Sequence, residues 1–332
     1  MNEAERRHAR SLAESGDWQG LVEALEALEP AVLADDPSLA YRYGEALYHT
    51  GRMRRLARFA RAYETAARGR ADMRDVMQAT NLRGIAAFEL GDTEEARVAF
   101  DMLMELAEGE QDQEMLARAA NNLGAIANLR GRRHEALAYY SMAIPLYQRL
   151  GQARGLAQTH HNMGLSYRDL GRLGDAADAY ARAVELAAAI PYRPLVAMSM
   201  IGRAEVALGL EDIDLSLCLL DRGLDLSRAV ADPISEAEGL RVRGLARTKQ
   251  VRTFAGAGER ARADFGAALD LARTTGSRLL EAEIERDLGR LWVELGEPRE
   301  AEPLFRASRR TFEEIGAVAE AGAVDQQLQA IA

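Results

Sequence analysis

Glycine falls on a beat in this chain. Gly44, Gly84, Gly124 and Gly164 stand forty residues apart, Ala204 occupies the place of a fifth, and Gly244 and Gly289 follow, the last five residues late. A glycine inside a helix costs about 1 kcal/mol relative to alanine. Six of them on one period need a shared packing reason, and a neighbouring helix too close to admit a Cβ supplies one. The period makes the chain an array of similar units growing along one axis, so its 332 residues count units rather than separate globular domains.

With the glycine as position 8 of each unit, apolar or small residues recur at positions 4, 7, 11, 20, 24 and 27. Around Gly164, the residues His160, Met163 and Tyr167 share one helical face, Gly171 breaks the helix, and Ala176, Tyr180 and Ala183 line a second helix. The last unit repeats this with Leu288, Gly289, Trp292, Gly296, Ala301 and Phe305. Helix stops recur at Gly151, Pro191, Gly276 and Gly316, and the Gly-containing stretch 250–259 reads as a lengthened loop between two helices. An N-terminal unit has Gly16 at its turn, then Leu21, Leu25 and Leu28, with Pro30 closing the helix. Position 7 carries Arg83, Arg203 and Arg243, and one position 11 carries Arg247; such stems can cover apolar surface while the head reaches solvent or a carboxylate.

Written out, the units fit x-x-x-[LM]-G-x-x-[YW]…G…A-x-x-x-[FY], which resembles the tetratricopeptide repeat. The resemblance implies an all-α fold: antiparallel helix pairs stacked into a right-handed superhelical solenoid with a concave groove. It implies one array over residues 1–332, about eight units at 3–36, 37–76, 77–116, 117–156, 157–196, 197–236, 237–281 and 282–316, and a capping helix at 317–332. The spacing of 40, against the usual 34, is similar to the longer arrays of kinesin light chains, the LGN/Pins spindle adaptors and the bacterial Rap-type peptide-sensing regulators. Those proteins bind peptides or protein segments in the groove.

At about 100° per residue, positions 2, 6, 9 and 13 of the first helix lie opposite the packing positions, and that face lines the groove. It presents Gln78 and Ile85, then Arg118 and Asn122, then Gln158, Asn162 and Leu165, flanked by Asn81, Phe88, Asn121, Asn128, His161 and Arg168. Asparagine is a middling helix former, so a row of them inside helices calls for a reason; their amides can bond the backbone of an extended peptide whatever its side chains. In the long-repeat relatives, asparagines at position 6 form a ladder that holds peptide backbone, and Asn122 and Asn162 occupy that position. The competing reading is a solvated face whose amides bond water or a neighbouring helix. Beyond Ala204 the same face reads Met198, Glu205 and Leu208, then Glu238, Leu245 and Lys249, then Glu283, Asp287, Arg290 and Glu294, a more acidic half suited to a partner with basic residues.

The net charge of −10 argues against a general nucleic-acid or membrane-surface binder. Arg52, Arg54, Arg55, Arg58, Arg61, Arg68, Arg70 and Arg74 make one stretch locally basic, for which ion pairing between units or plain solvation is the favoured reading and a nucleic-acid contact the lesser one. The opening residues lack a signal-peptide pattern and no stretch reaches the roughly 18 apolar residues of a membrane span, which points to a reducing, cytoplasmic setting. Cys218, the one cysteine, excludes an internal disulfide and is expected to be a small buried side chain. His160 and His161 are adjacent and point apart, so they do not form a metal pair, and no catalytic grouping or phosphate loop is present; neither metal nor cofactor nor catalysis is expected. The leading expectation is a non-catalytic adaptor or regulator that binds a protein or peptide segment in its groove. The alternative is a structural subunit packing through its end helices or convex face, and self-association stays open.

Overall fold

The computed structural model describes residues 2–26, 28, 33 and 36–331. Seventeen helices and no strand are found among them. In chain order they are α1 (Glu3–Ser15), α2 (Trp18–Leu25), α3 (Pro37–His49), α4 (Met53–Arg70), α5 (Met73–Glu89), α6 (Thr93–Gly109), α7 (Gln113–Leu129), α8 (Arg133–Leu150), α9 (Ala153–Asp169), α10 (Leu173–Ala188), α11 (Arg193–Gly209), α12 (Ile213–Ala229), α13 (Pro233–Lys249), α14 (Ala257–Thr275), α15 (Arg278–Glu294), α16 (Pro298–Glu314) and α17 (Val318–Ile331). They form two compact units, residues Met1–Asn162 and Met163–Ala332. Within each, helices pack on their successors, and the first helices of consecutive pairs also touch one another: α3, α5 and α7 in one unit, α11, α13 and α15 in the other.

Local chemistry fixes where the helices start and stop. Asp36, Asp72, Asp92, Asp112, Asp212 and Asp232 each accept a backbone N–H from the first turn of the helix they precede, satisfying a donor that the helix leaves orphaned. The turn between the helices of a pair needs a left-handed residue, supplied by Gly51, Gly91, Gly131 and Gly171 and, in the next unit, by Glu211. Gly151, Gly276 and Gly316 do the same at the ends of second helices, as the sequence suggests, while Ala71, Gln111 and Ala231 take that conformation without being glycine.

The glycine beat has a specific cause. A Cβ built on Gly84 would lie 2.5 Å from Phe100, on Gly164 2.7 Å from Tyr180, on Gly244 2.7 Å from Phe265 and on Gly289 2.6 Å from Phe305; on Gly124 it would strike Tyr140. In each case the ring is the position-24 aromatic of the partner helix, and it is fully buried. Burying a ring removes roughly 150–250 Å² from water, an upper estimate of about 4–6 kcal/mol. That outweighs the roughly 1 kcal/mol the helical glycine costs. Ala204 is the exception that fits: its partner at position 24 is Leu220, and no ring has to be seated. Gly44 differs, since a Cβ there would meet the Leu82 side chain of the next pair.

Two of the position-7 arginines find carboxylates: Arg83 lies 2.9 Å from Glu64 and 2.8 Å from Glu95, and Arg243, with Arg247 of position 11, converges on buried Asp264. The lengthened loop runs from Gln250 to Gly256, between α13 and α14. Cys218, expected to be buried, is exposed, because it falls between the core columns of α12 at Ser216 and Leu220 and faces outward. Leu21 and Leu25 are buried as read, and Pro30 lies outside the described residues.

Replacing Gly84 with alanine is expected to lower stability by up to about 2 kcal/mol: an overpacked core costs roughly 1–3, less the roughly 1 that alanine gains in helix propensity. Adding Phe100→Leu should return part of the lost melting temperature. Conversely, Gln111→Gly and Ala231→Gly, which remove a left-handed Cβ, should each raise stability by about 1 kcal/mol in urea titrations followed by circular dichroism.

Candidate functional site

In the first unit the row of amides runs across the first helices. Asn122 on α7 donates to Asn81 Oδ1 on α5 at 3.5 Å, and Asn162 on α9 donates to Asn121 Oδ1 on α7 at 3.4 Å. Thr159 donates to the same Asn121 oxygen at 3.0 Å. The amide contacts are at the long end for hydrogen bonds and use part of each group's capacity. Asn81 is buried at 1% exposure and His161 is buried as well, whereas Asn121, Asn122, Asn128 and Asn162 are half-buried on this face. Gln78 accepts from the Tyr63 hydroxyl at 3.3 Å, and Gln158 is half-buried. Ile85 and Phe88 lean against the core clusters of this unit.

Arg118 links helices that are not neighbours. It donates to the Tyr41 hydroxyl of α3 at 2.9 Å, passing α5, and it pairs with Glu114 at 2.9 Å. Burial pushes the Tyr41 hydroxyl above its ordinary pKa, and nearby Arg118 offsets part of that rise.

In the second unit charge replaces amides. Arg168 pairs with Asp169 at 2.9 Å and with Glu205 on α11. Glu205 meets Arg241 on α13 at 3.2 Å, and Arg241 in turn donates to Asp287 on α15 at 2.9 Å. Asp287, with no exposed surface, also accepts from Arg286 at 3.0 Å and Arg290 at 3.2 Å. Three guanidiniums thus share one carboxylate. Burial would raise the Glu205 pKa, but Arg168 and Arg241 together hold it below its ordinary value; at Glu283 burial prevails over Arg241 and the pKa is raised. Arg168 is committed to this chain of charges, and Leu165 packs against Tyr180 and Val206.

Next to the charges, α11, α13, α15 and α17, with Phe305 of α16, line an open pocket of about 510 Å³. Leu208, Leu245, Val293, Phe305, Ala330 and Ile331 supply apolar wall, with Glu205, Thr248, Lys249, Arg290, Glu294 and Gln327 among them. Six of these, Glu205, Leu208, Leu245, Lys249, Arg290 and Glu294, are residues the helical wheel assigns to the inner face. Arg241, Thr248, Gln327 and Ile331 were missed. Arg241 sits at position 5, which the wheel treats as flanking; the carboxylates Glu205, at position 9 of the preceding first helix, and Asp287, at position 6 of the following one, were the available signal. Gln327 and Ile331 lie on the capping helix, outside the repeat register.

The basic stretch on α4 is largely neutralised. Arg52 and Arg55 pair with Glu26, Arg68 with Glu64 at 2.7 Å, Arg70 with Asp75 at 2.8 Å, and Arg61 lies 3.8 Å from Glu95. Among the described residues no helix is long and apolar enough to cross a membrane, and no grouping of His, Cys, Asp and Glu suits a metal ion.

Helix pairs with a glycine under a partner's ring, repeated along both units, define a helical-repeat array. The tetratricopeptide repeat family model matches residues 75–149 and 155–229, and the chain is a helical-repeat protein of the tetratricopeptide type. No curated protein matches it in sequence. Solved structures with the same fold include the apo form of the quorum sensor NprR from B. thuringiensis, at 17% identity and a TM-score of 0.70, over 93% of this chain and 86% of that one. A Rap protein complexed with competence and sporulation factor matches at 12% identity and 0.63, over 99% and 96%. The Rap conjugation gene regulator of plasmid pLS20, in complex with the Phr* peptide, matches at 13% identity and 0.63, over 86% and 76%. At these identities the likeness is one of fold.

Breaking the buried charge chain should cost far more than breaking a surface pair, because the partners keep their desolvation without compensation. Asp287→Asn is expected to lower stability by about 3 kcal/mol in urea unfolding, whereas Arg306→Ala, which removes an exposed pair with Glu302, should change it by less than about 0.5.

Proposed function

We propose that this chain is a non-catalytic scaffold, an adaptor or regulator, that binds a peptide or protein segment along the first-helix face. The observation that carries the reading is the second unit's pocket, apolar at its walls and polar among them, on the face that the helical wheel assigns to ligand. A concave apolar site with a few convergent polar groups is the usual form of a binding site. In the first unit, the half-buried amides of Asn121, Asn122 and Asn162 can exchange their long helix-to-helix bonds for shorter ones to an extended backbone, with Arg118, Gln78, Gln158 and Asn128 alongside. The fold is also that of proteins complexed with competence and sporulation factor and with the Phr* peptide, which favours a peptide-sized partner.

Cross-linking of the chain in its native cell, with cross-linked residues mapped by mass spectrometry, tests this. Partner attachment on α5, α7, α11 and α13 is expected. Attachment confined to second helices, or to α1 and α17, would favour a structural subunit of a larger assembly instead. For the partner so found, the double substitution Asn122→Ala and Asn162→Ala should weaken binding about tenfold while leaving the helical circular dichroism intact. Unchanged affinity would remove the amide row from the site.

A further inference from the structure

The pocket of the second unit carries a more specific reading, which rests on the groove-binding function proposed above. Of its four charged groups, three have dedicated counter-ions: Glu205 lies between Arg168 and Arg241, Glu294 is 3.0 Å from Arg252, and Lys249 is 2.5 Å from Glu211. Arg290 is the exception. Its carboxylate, Asp287 at 3.2 Å, is shared with Arg241 and Arg286, and its other contact is the neutral amide of Gln327, whose oxygen accepts from Nη2 at 2.7 Å and Nε at 2.6 Å. Arg290 therefore has no carboxylate to itself, whereas Arg241, with which it shares Asp287, also meets Glu238 at 3.4 Å and Glu283 at 4.0 Å. Burial, together with the neighbouring arginines, pulls the Arg290 pKa below its ordinary value, in keeping with a cation short of counter-charge.

We propose that this pocket is an anchor subsite for a peptide segment carrying a leucine- or phenylalanine-sized side chain with a carboxylate one or two residues away. The apolar side chain sits against Leu208, Leu245, Val293 and Ile331, and the carboxylate takes a charge-assisted bond from Arg290. The apolar side chain matches the apolar walls and the carboxylate matches Arg290, while Glu205 and Glu294 in the same lining keep their own cations. The pocket is bounded by the first helices α11, α13 and α15 and so is continuous with the face along which a chain would lie, which favours a peptide side chain over a free lipid. This refines the expectation of a basic partner for the acidic half: the carboxylates there are already occupied by arginines of the same chain.

The test is a selection of random phage-displayed dodecapeptides on the purified full-length chain, repeated on Arg290→Gln, Arg290→Lys and Val293→Glu, each checked for an unchanged melting curve. Enrichment of an apolar residue with Asp or Glu within two positions is expected. Synthetic peptides from that pool should bind Arg290→Gln and Val293→Glu at least about tenfold more weakly, with Arg290→Lys intermediate. Enriched peptides that lack the pairing, or that bind Arg290→Gln equally well, overturn the anchor while leaving groove binding intact. No enrichment of any peptide overturns the anchor as well, and dodecanoate binding without peptide enrichment assigns the pocket to a lipid carboxylate instead; groove binding is then judged by the cross-linking map alone.

Discussion

A buried aromatic ring laid on the backbone of its partner helix is the contact from which the rest of this architecture follows. It needs a residue with no side chain on one helix and a large flat one on the other, and it draws the two axes close enough that their small neighbours, mostly alanines, complete the seal. Because the pair is closed by this contact on one side of the first helix, the opposite side is spared from core packing. Only then are polar side chains available in rows, facing the next first helix rather than the partner.

The two units use that spared face differently. In the first, neutral amides bridge α5, α7 and α9 at the long end of hydrogen-bonding distance, giving a face that is polar yet carries little fixed charge. In the second, alternating arginines and carboxylates run from Arg168 to Arg290, buried at Arg241 and Asp287 and partly exposed towards either end. Buried ion pairs of this kind rarely add much net stability, since desolvation consumes the Coulombic gain, but they hold geometry, and a misplaced member is costly. The apolar pocket lies beside this scaffold of charge, so its walls are set by groups that have little freedom to move.

The period of the glycines was enough to read the helical pairs, their turns and the wheel position of the pocket walls, because those depend on regular spacing and on one residue's lack of a Cβ. Burial of individual polar side chains was not legible in the same way. Asn81 and His161 sit on flanking wheel positions, where regular spacing gives no sign that the fold buries them. Arg168 looked like a donor for a ligand, and its actual partner, Glu205, lies 37 residues away on another first helix. Gln327 and Ile331 lie outside the repeat, where the register gives no guide. Cys218 shows the opposite limit: an apolar run in sequence need not be a buried face when only every third or fourth residue turns inward.

Repeat arrays are commonly treated as chains in which each element senses only its immediate neighbours. The bond from Arg118 to Tyr41 joins helices two pairs apart and makes that treatment incomplete for the first unit. Loosening α3 there withdraws a partner from α7 directly, without passing through α5. Unfolding in this stretch therefore has a direct link across three pairs, beside the contacts that each helix makes with its neighbours.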